Sequence, residues 1–457
     1  MKRFLFMSVS GLTTLIFITS HSEKALAWGQ YGHQQINTAA VALVSQTGDI
    51  GRCLADADYS MRRLAISPDM EWKMDVKVDL PEDVLHQRMQ DDQYEHSLHF
   101  FEADAFVPLK GAASSVASLP SGEYASVYPA YHDLLVKYIA QVTTIDPSKG
   151  LKDPKNPSVN EVTAHGTAPW RALQLYRLSI DAMKKGDTQL ALLYLGTMGH
   201  YVGDMSQPFH ATLNFDGGYP VSADQAGIHH EIDTGLLPGG TKKSKTDPDN
   251  KDAMSVFPTA LFQKTTQPAI VAAAESKIKA DGKKQLTQAD VVPEMLKIVS
   301  SGLPYVDAML TAYKAQCDIK NATNPPKPHC VATMKDGHSQ VEEIGKAGEN
   351  AMLATSITVE GAGAMPMSQV LNERMALSSA LLARLWIAAY KEAGSPNMGD
   401  CKKFGAFDTT FRDYVIQNYP RPNDPAAHGF MPAGYLAERG KKSAAPPVMN
   451  EHVESDN

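Results

Sequence analysis

The chain has 457 residues and a formal charge of −8. An acidic balance of this kind gives no electrostatic footprint for a polyanion, although bound zinc would supply local positive charge. The length is ample for a large core and by itself permits two to four domains.

Lys2 and Arg3 precede a mostly apolar run from Phe4 to Ser20, and Ala25-Leu26-Ala27 follows. This reads as a signal peptide over residues 1–27 with an A-x-A cleavage site, too short and too polar for a membrane span. No later run approaches the ~20 apolar residues that a span needs. The mature protein is therefore expected to be secreted or periplasmic, with no transmembrane anchor. Cleavage after Ala27 leaves 430 residues and, with the leader's net +2 gone, a charge of −10. It also makes the α-amine of Trp28 a metal donor when deprotonated, five residues before His33, with the Trp28 carbonyl beside it. A purely structural role, capping the core, is the alternative for Trp28. In an exported chain, the even number of cysteines favours disulfides over thiolate chemistry. Cys317 with Cys330 is the local pair, across a Pro-rich loop (NPPKPH), and Cys53 with Cys401 follows by elimination.

Most of the mature chain reads as helix. Gln34 to Ser45 places Ile36, Ala40 and Leu43 on one face, with Gly48 just beyond. Pro169 is well placed as the first residue of a helix through Lys185, with an apolar stripe of Leu173, Tyr176, Ile180 and Met183 and Gly186 as the stop. Thr188 is the expected cap of the next helix, to about Met205, on which Gly196, Gly199 and Gly203 permit close approach of a neighbour. Later helices are expected over Thr287 to Ser301, Leu303 to Ala315 and Met367 to Ala393. No alternating pattern suggests a sheet, so an all-α helical bundle is expected, with long loops at 104–128, 145–165 and 211–227.

The chemistry is concentrated between Gly199 and Asp233. His200 and Asp204 are four apart and point at one object from a helix; His229 and Asp233 repeat the spacing. Pro208 should end the first helix and leave His210 free to turn toward a second metal. One isolated histidine is more often a satisfied core or surface residue, but two such pairs plus His210 within one short stretch favour a metal site. Imidazole and carboxylate donors without thiolate suit a hydrolytic Zn²⁺ site. Upstream, Asp69 in LAISPDMEW and His99 in EHSLHFFEAD are further candidates, with His96 a competitor of His99. The remaining histidines (His86, His132, His165, His329, His338, His428, His452) have no partner at ligand spacing and are expected on surfaces or loops. Glu231, Asp104 and Asp75 are expected to be solvated. Residues from Lys402 onward form a polar tail whose last dozen residues are expected to be disordered. No phosphate loop, nucleophile elbow or internal repeat is present.

Taken together, WGQYGH, SPD, LHFF, GHYVGDMSQPFHATLN and HHEID resemble the zinc-dependent phospholipase C family, to which the single-strand-specific zinc nucleases are related. The match covers scattered motifs over residues 28–240, the pattern H-Y-x-G-D-x-x-Q-P-x-H-A-x-x-N being the most specific. The resemblance implies an all-helical fold with three zinc ions. It assigns Asp69, His99, His200 and Asp204 to the first, and the Trp28 amine and carbonyl, His33 and a shared Asp204 to the second. A third takes His210, His229 and Asp233. It also agrees with the leader reading on a mature Trp28. By this reading residues 28–395 form a phosphodiesterase domain (core 28–315, extra helices 340–395), and 396–457 a C-terminal extension.

The chain departs from the family in places. The phospholipases usually carry Glu where Asp233 stands, while the nucleases carry Asp. Asp69 and His99 lie 30 apart, implying an insertion near Met74 to Gln93. The favoured expectation is a phospholipase C, in which a zinc-activated water cleaves a phospholipid, typically phosphatidylcholine, at a membrane surface, with Asp69 orienting the water or taking its proton. QPFHATLN is closer to the lipases; Asp233 pulls toward cleavage of single-stranded nucleic acid. A non-enzymatic zinc-loaded binding protein is a third reading.

Overall fold

The computed structural model describes residues 28–72, 95–145, 151–215, 217, 228–236, 267–282, 285–322, 333–335, 338–340, 345–359 and 363–432. The signal peptide, the whole of the inferred insertion, Asp75, Cys330, the greater part of the 211–227 loop and the last dozen residues lie outside the described ones. So do His86, His329, His452 and the side chains of His96 and His338.

The chain opens with α1 (Gln30–Val44), α2 (Gly48–Asp56) and α3 (Asp58–Leu64), followed by a π-helical turn at Pro68–Trp72. After the 3-10 turn His96–Leu98 come α4 (Ala112–Val116), α5 (Tyr124–Ile145) and α6 (Val159–Thr163). The central pair is α7 (Ala168–Lys184) and α8 (Thr188–Asp204), followed by the short turns Pro208–His210, Ile228–His230 and Glu231–Gly235. Then come α9 (Gln267–Ala280), α10 (Val291–Gly302), α11 (Val306–Ala322), α12 (Gly345–Ala354), α13 (Met367–Glu392) and α14 (Thr409–Gln417). The protein is all-α. Two short antiparallel hairpins, β1 (Thr333–Lys335) with β2 (His338–Gln340) and β3 (Ser356–Val359) with β4 (Gly363–Pro366), were not anticipated. Each strand is three or four residues long, too short for alternation to register against the helical pattern.

Other differences are local. The expected 104–128 loop holds α4 and the start of α5, and the 145–165 loop holds α6. The capping box of Ser158 and Glu161 starts α6, with each side chain satisfying the other's backbone N–H. Thr188 is the first residue of α8, whose cap is Asp187, accepting from the Leu190 N–H at 3.0 Å.

Helix α8 is central because its glycines remove side chains where neighbours must touch it. A Cβ at Gly199 would stand 1.9 Å from Asn37 Oδ1, and one at Gly203 would stand 2.7 Å from His33 Nδ1. Asn37 uses this closeness to donate to the Gly196 and Met61 carbonyls, tying α1 to α8 and α3. Behind them runs α13, whose Ser378 and Ser379 donate to the Val202 and Ile36 carbonyls and whose Trp386 donates to Leu195. Arg374, wholly buried, donates to Ser206, Ile298 and Ser301, and burial pushes its guanidinium down to about 10. The buried apolar side chains form one continuous cluster from Trp28 to Met431. Residues 398–431 therefore belong to the same core as the ligand-bearing helices. Cys53 and Cys401 are disulfide-bonded, pinning this last segment to α2. Cys317 is also disulfide-bonded. Such cross-links fit an extracellular protein, and no described helix is long and apolar enough to cross a membrane.

Candidate metal centre

Five separate stretches converge on the C-terminal end of α8. His33 comes from the first turn of α1, Asp69 from the π-helical turn, and His99 from the end of the His96–Leu98 turn. His200 and Asp204 come from the last turns of α8, and His210, His229 and Asp233 from the short turns after it. Their donor atoms fall into three compact groups: His33, Asp69 and His200; His99, His200 and Asp204; and His210, His229 and Asp233. All are buried, and each group can hold a metal ion.

Asp204 joins the groups. Its Oδ2 faces His99 Nδ1 at 3.4 Å and His200 Nε2 at 3.5 Å, while its Oδ1 faces His33 Nε2 at 3.2 Å and His210 Nδ1 at 3.8 Å. Asp69 reaches both His99 and His200 at 3.6 Å. In the outer group, Asp233 Oδ2 lies 2.8 Å from His229 and 3.6 Å from His210.

Three of the five imidazoles are held by backbone carbonyls. His200 Nδ1 donates to Ala65 at 2.8 Å, His210 Nδ1 to His99 at 3.0 Å and His229 Nδ1 to Phe215 at 3.2 Å. A carbonyl only accepts, so each Nδ1 carries the proton and each Nε2 lone pair is turned to the centre, the arrangement that metal-binding histidines use. Phe100 stacks on His210 at 4.9 Å. Gln207 donates to Asp233 Oδ1 at 3.0 Å, and the Gly29 N–H donates to the Asp233 carbonyl at 2.5 Å, bringing the Trp28–Gly29 peptide against the outer group.

The electrostatics ask for a cation. Burial opposes ionisation of Asp204, but the fields of His200 and His210 and contacts from His33 and His99 outweigh it and hold its carboxyl well below the usual range. Burial, with His33 and His99 adding to it, drives His200 well below the ordinary imidazole value against the pull of Asp204. Asp233 is likewise held low: burial opposes ionisation, and His229 and His210 prevail. Yet both oxygens of Asp204, which has 0% exposure, lack a hydrogen bond among the described residues. Four imidazoles thus face a buried carboxylate whose oxygens no hydrogen bond satisfies, a setting that suits a coordinated cation between them. The nitrogen and oxygen donor set is that of catalytic zinc sites, though other borderline metals accept it as well.

Three readings are corrected. Asp104 and Glu231 are buried rather than solvated. Asp104 accepts from Thr212 Oγ1 at 2.6 Å and from the Leu213 N–H at 2.8 Å, and burial pushes its carboxyl up to about 6. His165 is buried too, with Nδ1 2.6 Å from Glu102 Oε2. Their partners are tens of residues distant in the chain, so local spacing gave no signal. Trp28 is 1% exposed, within the core cluster. Gln207, inside the Q-P-x-H motif, and Glu95 were missed. Glu95 is four residues before His99, the same carboxylate–histidine spacing that marks the two pairs of the central stretch, and that signal could have found it.

Comparison with family models, with curated proteins and with solved structures returned no match.

Proposed function

We propose that the protein is an exported zinc-dependent phosphodiester hydrolase of the phospholipase C type. It cleaves glycerophospholipids, phosphatidylcholine first among them, at a membrane surface to diacylglycerol and a phosphorylated headgroup. The observation that carries the reading is Asp204, a buried ionised carboxylate whose two oxygens face different histidines in neighbouring groups. Three adjoining donor groups bridged this way suit displacement at phosphorus more than a single structural ion. The motif resemblance and the apolar leader support the substrate and the export.

Zinc, when bound, would lower the pKa of water toward ~7 and offset the charge that develops on phosphoryl oxygens. The chain's own residues do the positioning. His99, His200 and Asp204 would hold one ion, and His210, His229 and Asp233 another. His33 and the shared Asp204 would hold a third with the Trp28 amine and carbonyl once the leader is removed. Asp69 lies within 3.6 Å of two imidazoles with 9% of its side chain still exposed, which supports a role in orienting the attacking water or accepting its proton. Phe100 shields His210 from solvent on one face.

Asp233 favours one rival, a single-strand-specific nuclease built on the same scaffold. Mature protein loaded with zinc and offered phosphatidylcholine vesicles and single-stranded DNA side by side separates the two. Release of phosphocholine supports the phospholipase and release of acid-soluble nucleotides the nuclease; EDTA should abolish either. If the loaded protein leaves both substrates intact, the hydrolase reading fails.

A further inference from the structure

The segment after α13 turns back onto α2, α7 and the turn that bears Asp69 and is fastened there along its length. The disulfide holds Cys401 to α2, and the Met398 N–H donates to Asp49 at 2.6 Å. Trp72, at the end of the turn that bears Asp69, donates its indole N–H to the Val415 carbonyl at 3.0 Å. From α7, Arg171 donates to the Pro420 carbonyl at 2.5 Å, and Gln174 donates to Arg421 at 3.0 Å and Ala427 at 2.8 Å. His428 closes the far end on Asp181 at 2.7 Å.

At the middle of this strap, Tyr419 points inward. Its hydroxyl donates to Glu95 Oε2 at 2.5 Å, which also accepts from Arg171 Nη2 at 3.2 Å. The other oxygen, Oε1, accepts from the Tyr201 hydroxyl and lies 3.8 Å from His99 Nε2. Arg171 is sandwiched against the Trp72 and Tyr419 rings at 5.2 and 5.0 Å. A carboxylate only accepts, so both tyrosine hydroxyls are its donors. His99 Nε2 has no hydrogen bond among the described residues, while its Nδ1 faces Asp69, Asp204 and His200. A fixed carboxylate beside Nε2 favours the proton on that nitrogen and leaves the Nδ1 lone pair for the centre, as carboxylates behind metal-binding histidines do.

We propose that the C-terminal strap is a working part of the metal centre, with Tyr419 and Glu95 as positioning residues that set the tautomer and orientation of His99. The inference rests on the metal-binding reading above. It assigns residues 398–431 a role in holding metal, beyond that of a folded appendage.

The test compares full-length mature wild type with Tyr419→Phe, Glu95→Gln and His428→Asn. Zinc affinity is measured by competition with a chromophoric chelator, Co²⁺ binding by visible absorption, and metal-free unfolding by circular dichroism. Tyr419→Phe keeps the ring and its packing, so it folds even if Glu95→Gln, which leaves Arg171 without its counter-charge, does not. Tyr419→Phe is expected to weaken the tightest zinc site about 10- to 100-fold and to change the Co²⁺ bands. His428→Asn loosens the strap far from Glu95 and should shift unfolding without altering the bands. Wild-type affinity and spectrum in Tyr419→Phe would overturn the proposal. Wild type that takes up neither zinc nor cobalt would overturn the metal reading itself, a distinct result.

Discussion

The inner groups, around Asp204, and the outer group of His210, His229 and Asp233 use the same donors on different scaffolds. His33, His200 and Asp204 stand on long helices that glycine contacts and α13 lock together. The outer three stand on single turns aligned by individual hydrogen bonds, from His210 to the His99 carbonyl, from His229 to the Phe215 carbonyl and from Gln207 to Asp233. Among the carboxylates exposure follows the scaffold, at 0% for the Asp204 side chain on its helix against 9% for Asp69 and 10% for Asp233 on short turns. Helix packing makes the inner geometry a property of the whole core, whereas the outer geometry can be altered piecemeal.

Substitution at Asp204 is expected to have the largest effect. Asp204→Asn removes the charge that serves two groups, so turnover should fall to that of EDTA-treated wild type and elemental analysis should show loss of more than one ion per chain. Retention of full metal content would break the comparison. Asp69→Asn should keep the metal content and lower turnover by about 10²- to 10⁴-fold, the range for a lost proton acceptor; near-normal turnover would end that role. Asp233→Asn should empty the outer group alone and leave the inner ions in place, a smaller loss of metal than at Asp204.

The smallest effect concerns pH. Asp104 anchors the segment just beyond His210, and burial raises its folded-state value from 3.8 to about 6. A carboxyl raised by folding binds its proton more tightly in the native state. Its contribution is therefore complete below about pH 4 and lost as pH rises through about 6. The change is of order 3 kcal/mol at ~1.4 kcal/mol per unit. Denaturant titrations of metal-free wild type and Asp104→Asn at pH 4 and 6.5 should differ in slope by that order, with the variant the flatter. Parallel curves would remove Asp104 from the account.

Local regularities carried much of this molecule in the sequence alone. The boundaries of α7, α8 and α13, the two i,i+4 histidine–aspartate pairs and the exit of His210 past Pro208 depend on residues within a turn or two of one another. The pairing of Cys53 with Cys401 was reached only by elimination, because nothing near either cysteine encodes a partner 348 residues away. The motif resemblance implied that Asp69 and His99 join His200, but only the tertiary structure decided that Asp104, His165 and Glu231 are buried and that Tyr419 reaches Glu95 from the far end of the chain. Such contacts are set by which helices can approach closely and by which buried charges find partners. Those are properties of the packed core, and no window of neighbouring residues contains them.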